Sequence, residues 1–206
     1  MLDAMRELYK DPGEFKTVVF DTIDAMWPAL FRHVLKNYPA QKGKASNIED
    51  YGYGKGFQYA DDELAKFLDA LDRLIEDKHF NAVIIAHSTI KNVDPPDKEP
   101  WAQYRITGNE RLASRIADWA SSLLFMQNEV HVIKKQTGKN RADSRGQRVI
   151  KATMHPAYWA KNRHGLPDEF PMPEGKAWAT YINEIAKARK AKASTKTTAE
   201  KPQPTK

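Results

Sequence analysis

A chain that carries Phe80 to Ala86 has to bury that run. Its apolar residues are continuous rather than alternating, as in a strand of a parallel sheet covered on both faces. Phe15-Lys16-Thr17-Val18-Val19-Phe20 is a second strand-length run, β-branched and aromatic, and Asp21-Thr22 ends it. Helical patterns separate the two. Met26, Leu30 and Val34 recur at helical spacing over 25–37, with Pro28 placed in the first turn. A glycine-rich polar stretch, 40–56, leads to an amphipathic segment, 61–77. There Leu64, Phe67, Leu68, Leu71, Leu74 and Ile75 form one face. Upstream, Leu2 to Tyr9 reads as a helix stopped by Asp11-Pro12-Gly13. Downstream come a proline-rich loop from Ser88 to Thr107, a helix near 110–121, and strand candidates at 122–126, 129–135 and 147–153. A short apolar piece, 157–160, precedes Lys161-Asn162-Arg163. Strands alternate with helices first and cluster later. This order predicts a three-layer α/β domain with a mainly parallel sheet and antiparallel edge strands.

Hydrophobic residues make up 41% of the 206 and charged residues 29%, enough apolar material for a core, so disorder throughout is excluded. Cysteine is absent, which excludes disulfides, thiolate metal sites and cysteine nucleophiles. The longest aliphatic run, Ala82 to Ala86, is too short to cross a bilayer, and the charged Met1–Lys10 is no signal peptide. A cytoplasmic protein with no membrane contact is the expectation. The net charge of +6 resides in 187–206, where seven Lys and Arg face Glu200 alone. That end, rich in Lys, Ala, Ser, Thr and Pro, reads as a disordered basic tail on a neutral body, 1–186. Within the body, His131 to Arg163 carries nine Lys and Arg against Asp143. Such a run either meets phosphates or is a solvated hairpin with scattered cations.

Three short patterns could carry chemistry. Asp21 at the end of an apolar strand places a carboxylate where open α/β sheets bind ligands, with Asp24 available as a second acid. The ordinary alternative is an Asp that caps the next helix. His87 follows the second apolar strand, where a neutral imidazole can hydrogen-bond a phosphate or a water; the alternative is a satisfied, half-buried histidine. Lys161 and Arg163, separated by one residue ahead of Gly165, form a fork able to clamp a phosphoryl group, or an exposed basic pair.

In their order along the chain, these features resemble the RecA-like ATPase core. Lys161-Asn162-Arg163-His164-Gly165 is similar to the K-N-R-F-G motif of RadA and to the K-x-R-x-G finger of DnaB-type replicative helicases. Asp50-Tyr51-Gly52-Tyr53-Gly54-Lys55-Gly56 and Lys161 to Pro167 resemble a group of phage nucleotide-binding proteins, the RecA-like single-strand-annealing recombinases. The likeness runs from about Leu2 to Pro173. It implies a P-loop NTPase of ATP and Mg²⁺, acting in DNA recombination or repair as a homo-oligomer, ring or filament. Phe15 to Asp21 takes the place of the Walker B strand, with Asp21 on the metal and Asp21, Thr22 and His87 at the nucleotide. His87 stands where relatives carry a phosphate-sensing glutamine. Lys161 and Arg163 reach the nucleotide of the neighbouring subunit, so Asp21, His87, Lys161 and Arg163 form the catalytic set.

The same resemblance places single-stranded DNA along two loops, at Tyr51, Tyr53 and Lys55 and at Lys91, Trp101, Tyr104 and Arg105. Aromatics interleaved with cations suit base stacking with phosphate contact. They equally suit loops packed against the body.

One departure is large. No G-x-x-x-x-G-K-[ST] phosphate loop occurs. Gly43-Lys44-Ala45-Ser46, Gly54-Lys55-Gly56 and Gly138-Lys139-Asn140 all lack the hydroxyl directly after Lys. An N-terminally incomplete core is therefore expected. It should bind ATP poorly and hydrolyse it negligibly on its own, with an unpaired edge beside the Asp21 strand and a tendency to associate. The rival readings are a non-catalytic DNA-binding or scaffold subunit with a degenerate RecA-like fold, and a replicative helicase.

Overall fold

The computed structural model describes residues 2–40, 43, 45–129, 131–133, 141–143 and 146–199. Lys44 and Gly138-Lys139-Asn140 of the near-miss phosphate loops lie outside the described residues. So do Lys134, Lys135 and Arg145 of the basic run, and 200–206 of the tail. The chain divides into two compact units, Met1–Lys91 with Arg105–Trp119, and Asn92–Tyr104 with Ala120–Lys206.

The first unit is built in the order α1 (Leu2–Lys10), β1 (Thr17–Asp21), α2 (Ile23–Asn37), a 3₁₀ turn (Ile48–Tyr51), α3 (Lys55–Lys78), β2 (Asn81–Ile85) and α4 (Glu110–Trp119). β1 and β2 pair in parallel, from Thr17 opposite Asn81 to Asp21 opposite Ile85. Val18, Phe20, Ala82, Ile84 and Ala86 turn to the core, where Phe20 meets Phe67 edge to face at 4.9 Å. α3 supplies the floor of that core. Leu64, Phe67, Leu68, Leu71 and Leu74 are buried on one face, as their spacing requires, and Ile75 is half-buried at its edge.

The polar stretch before α3 is ordered by local bonds. Asn47 Oδ1 accepts from the amides of Glu49 and Asp50, and Asp50 Oδ2 accepts from the Ser46 hydroxyl and from the Ser46 and Asn47 amides. The Ser46 hydroxyl, followed by those amides, holds the Asp50 carboxyl below its ordinary value. α2 starts two residues earlier than its periodicity suggests. Pro28 is therefore inside the helix rather than in its first turn, and one intrahelical N–H is lost.

β3 (Ser88–Val93) and β4 (Trp101–Ile106) pair as a hairpin where a loop was expected. The prolines that suggested a loop, Pro95, Pro96 and Pro100, all fall in the connection, and β3 alternates in burial as strands do.

In the second unit β5 (Ser122–Leu123), β6 (Phe125–Asn128), β7 (His131–Ile133), β8 (Arg141–Asp143), β9 (Arg148–Lys151), β10 (Lys161–Asn162) and β11 (Glu169–Pro171) precede α5 (Ala177–Ala199). β6, β9 and β11 form an antiparallel sheet with β9 central; β5–β10 and β7–β8 are antiparallel pairs. Ile150, Ala152, Leu166 and Phe170 form the core, with Leu124, Met172, Tyr181 and Ile185 against it. α5 continues past residue 187 to Ala199, through composition that reads as disordered, because Ala, Lys and Arg are strong helix formers.

The fold is mixed α/β, but the strands are dealt into small sheets. Among the strand pairs of the described residues whose direction is given by register, β1–β2 is parallel and the others are antiparallel. Nor is the apolar run of β2 covered on both faces. Val19 and Ile85, on the face away from the core, are exposed.

Candidate functional site

The parallel register brings the two strand tips together. Asp21 closes β1 opposite Ile85, and His87 follows two residues later. Both side chains are exposed at the carboxyl edge of the pair. Thr22 caps α2 with extended backbone, and its hydroxyl makes no capping bond.

Asp24, in the first turn of α2, holds the end of the second strand. Its Oδ2 accepts the His87 amide at 3.0 Å and lies 3.2 Å from His87 Nδ1. That second contact is a hydrogen bond when Nδ1 carries the proton, which leaves Nε2 facing outward as the acceptor of a neutral ring. The other oxygen, Oδ1, is buried without a partner. The positive end of α2 offsets part of that cost. Beyond it, the His87 carbonyl accepts the Thr107 amide at 3.0 Å, and Trp27 Nε1 donates to the Thr107 carbonyl at 3.1 Å. His87 therefore sits at the base of the β3–β4 hairpin, held from α2 and from the returning strand.

Among the described residues no group of three His, Cys, Asp or Glu side chains could enclose a metal ion. An exposed carboxylate at a strand tip does fit Mg²⁺, which takes one or two carboxylates, keeps several waters and draws its other ligands from phosphates.

Lys161 and Arg163 belong to the second unit. Lys161 is half-buried in β10 and Arg163 is exposed just after it. The turn that carries them is organised by the residue between. Asn162 Oδ1 accepts from the amides of His164, Gly165 and Leu166 at 3.0, 3.0 and 3.1 Å, and its Nδ2 donates to the Leu166 carbonyl at 2.7 Å. Gly165, at φ +79°, lets the chain reverse there. In the sequence Asn162 reads only as the spacer between two cations. The signal was an Asn two to three residues before a His-Gly pair, the side chain suited to nucleating a turn on following amides.

The seven residues expected along a single-stranded DNA path separate into different environments. Tyr53 is fully exposed, lifted on positive φ between Gly52 and Gly54. Tyr104 is exposed on β4, and Lys55 and Lys91 are half-buried. Three others are committed elsewhere. Tyr51 is buried in the core, its hydroxyl directed at the carbonyls of Val34 and Tyr38 at 3.1 and 2.9 Å. Burial, then the neighbouring Tyr59, holds its phenol above the ordinary value. Trp101 is half-buried and donates to the Pro156 carbonyl at 2.9 Å, while Arg105 pairs with Glu110. For these three the packing alternative describes what the side chains do. Tyr51→Phe is accordingly expected to lower unfolding free energy by about 1–2 kcal/mol, measured by urea denaturation, and to leave nucleic-acid affinity unchanged. A loss of affinity without loss of stability would reverse that assignment.

No helix of the described residues is long and apolar enough to cross a membrane. No curated protein and no solved structure matches the chain. The AAA domain family matches residues 1–164, from α1 through β10 and into the Lys161-Asn162-Arg163 turn. With four-fifths of its length so matched, the chain belongs to the AAA domain family, a family of nucleotide-binding, ATPase-like proteins.

Proposed function

We propose that the chain carries the Walker B strand, sensor strand and basic finger of an ATP-dependent recombination or annealing protein of the phage type. Such a protein would work on single-stranded DNA as an oligomer, with a RecA-like core and Mg-ATP held between subunits. The observation that carries this reading is that Asp21 and His87 stand at the ends of two adjacent parallel strands, with Asp24 of α2 bonded to His87. Asp21 would hold the water shell of Mg²⁺, with Thr22 the next residue along the chain. His87 accepts at Nε2 from a water on the phosphate, with Asp24 fixing the ring. Lys161 and Arg163 serve the nucleotide of an adjoining copy. When bound, Mg²⁺ neutralises charge on the phosphate oxygens.

The second reading, a non-catalytic DNA-binding or scaffold subunit, is favoured by the absence of a phosphate-cradling loop from these 206 residues. That absence also sets the expected affinity, because backbone donors supply most of the hold on a triphosphate. A ¹⁵N NMR titration with Mg-ATP should move the amides of Asp21, Thr22 and His87 with millimolar affinity. Asp21→Asn should abolish the Mg²⁺-dependent part. Low-micromolar binding would contradict the weak-site argument. Amides that stay still up to saturating nucleotide, with DNA binding intact, would leave the scaffold reading in place.

A further inference from the structure

The second unit carries four aromatic rings in one connected row. Tyr104 and Phe125 have ring centroids 5.2 Å apart. Phe125 and Tyr158 lie 5.1 Å apart and 5° from parallel, and Tyr158 and His155 5.0 Å apart and 19° from parallel. The outer members, Tyr104 and His155, are exposed; Phe125 and Tyr158 between them are half-buried. Burial, then Asp168, holds the Tyr158 phenol above its ordinary value, so the ring is neutral throughout the physiological range.

The backbone fixes this row in advance. Tyr104 N–H donates to the Ala157 carbonyl at 2.8 Å and the Tyr104 carbonyl accepts from Trp159 at 2.9 Å, clamping β4 against 157–159. His155 and Tyr158 exchange backbone bonds of 3.1 and 3.3 Å across Pro156-Ala157, a closed turn that holds both rings on one side. Gln103 Nε2 bonds the His155 carbonyl at 3.2 Å, and the Ala157 amide bonds His155 Nδ1 at 3.1 Å, which sets the ring orientation. A core could have been packed without near-parallel rings and without leaving its ends in water. A prearranged row also loses little entropy when a flat ligand docks.

Charge points to the same ligand. By sequence the second unit holds 18 Lys and Arg against 10 Asp and Glu, a net charge of +8; the first holds 15 against 17, a net −2. Six of those eight charges lie in 187–206 and the rest of the second unit holds 11 Lys and Arg against 9 acids, so the unit that bears the rings carries its surplus of cations chiefly at its C-terminal end. Rings for base faces together with a surplus of cations for phosphates are the two requirements of single-stranded nucleic-acid binding.

We propose that Tyr104, Phe125, Tyr158 and His155 form a nucleobase-stacking site on the second unit, which binds single-stranded nucleic acid through its bases. The site rests on the nucleic-acid half of the function proposed above and adds three residues to Tyr104.

The test is fluorescence anisotropy of labelled oligo(dT), with oligo(rU) as a second arm, across a salt series. Tyr104→Ala and His155→Ala should each weaken binding about five- to hundredfold. The slope of log K against log salt should stay that of the unaltered chain, because the slope counts phosphate contacts and these variants remove none. Tyr104→Phe keeps its ring and should bind as the unaltered chain does, which separates stacking from a fault in folding. Equal weakening of both oligomers identifies the bases as the ligand, and a loss confined to oligo(dT) identifies DNA. If the unaltered chain binds and the alanine variants bind equally well, or lose affinity only through a smaller slope, the stacking site is wrong and the wider reading survives. If the unaltered chain binds neither oligomer, both are wrong.

Discussion

Replacing Gly56 with alanine should remove about 3 kcal/mol or more of unfolding free energy, although the same change in most helices adds about 1 kcal/mol. Gly56 is the second residue of α3 and is buried against the 3₁₀ turn. A methyl group there would overlap the Ile48 carbonyl oxygen and lie 2.9 Å from Tyr51 Cδ2. The obstacle is backbone, so no side-chain rotation relieves it. The turn has little freedom to retreat, because the Asn47–Asp50 capping box holds its start and the Tyr51 hydroxyl anchors its end to the Val34 and Tyr38 carbonyls. Accommodating the methyl group means giving up some of those bonds or tilting α3, whose Leu71 and Leu74 are fully buried. Urea denaturation gives the answer directly. A Gly56→Ala chain as stable as the parent would mean that the turn is far softer than its hydrogen bonds indicate.

Affinity for single-stranded DNA should fall by about 300-fold between 50 and 200 mM salt. The figure follows from the second unit's net charge of +8. If about six of its cations neutralise phosphates, log K falls with log salt at a slope of about −4. A flat salt dependence would remove the electrostatic part of the proposal whatever the aromatic row does. Deleting the chain after Ala186 takes away seven of those cations and should reduce both the slope and the affinity, equally for all sequences.

The elements of the first unit were legible because each rests on local periodicity. The α3 face, the β1 and β2 runs and the polar residues at their ends can all be read from residue order. The 88–107 hairpin was hidden because prolines in a connection look the same in sequence as prolines in a loop. The continuous apolarity of Ala82–Ala86 overstated its burial, since one face of β1–β2 leaves Val19 and Ile85 exposed. Asp21 and His87 of the first unit, and Lys161 and Arg163 of the second, are visible in the sequence as residue types at strand ends. Asp24 as the tie between α2 and His87, and Asn162 as the organiser of its turn, were not assigned in advance.

By itself the sequence determined the strands and helices of the first unit up to Ile85, the absence of cysteine and of a phosphate-loop motif from these residues, and which polar side chains stand at strand ends. These depend on neighbours a few residues apart. Only the tertiary structure decided that Asp24 grips His87 across 63 positions of chain, that Tyr51 is core while Tyr53 is surface, and that the net positive charge and the ring row fall in the same unit. Those outcomes depend on contacts between residues far apart in the chain. Such contacts are selected by packing and hydrogen-bond geometry, on which local residue order has no hold.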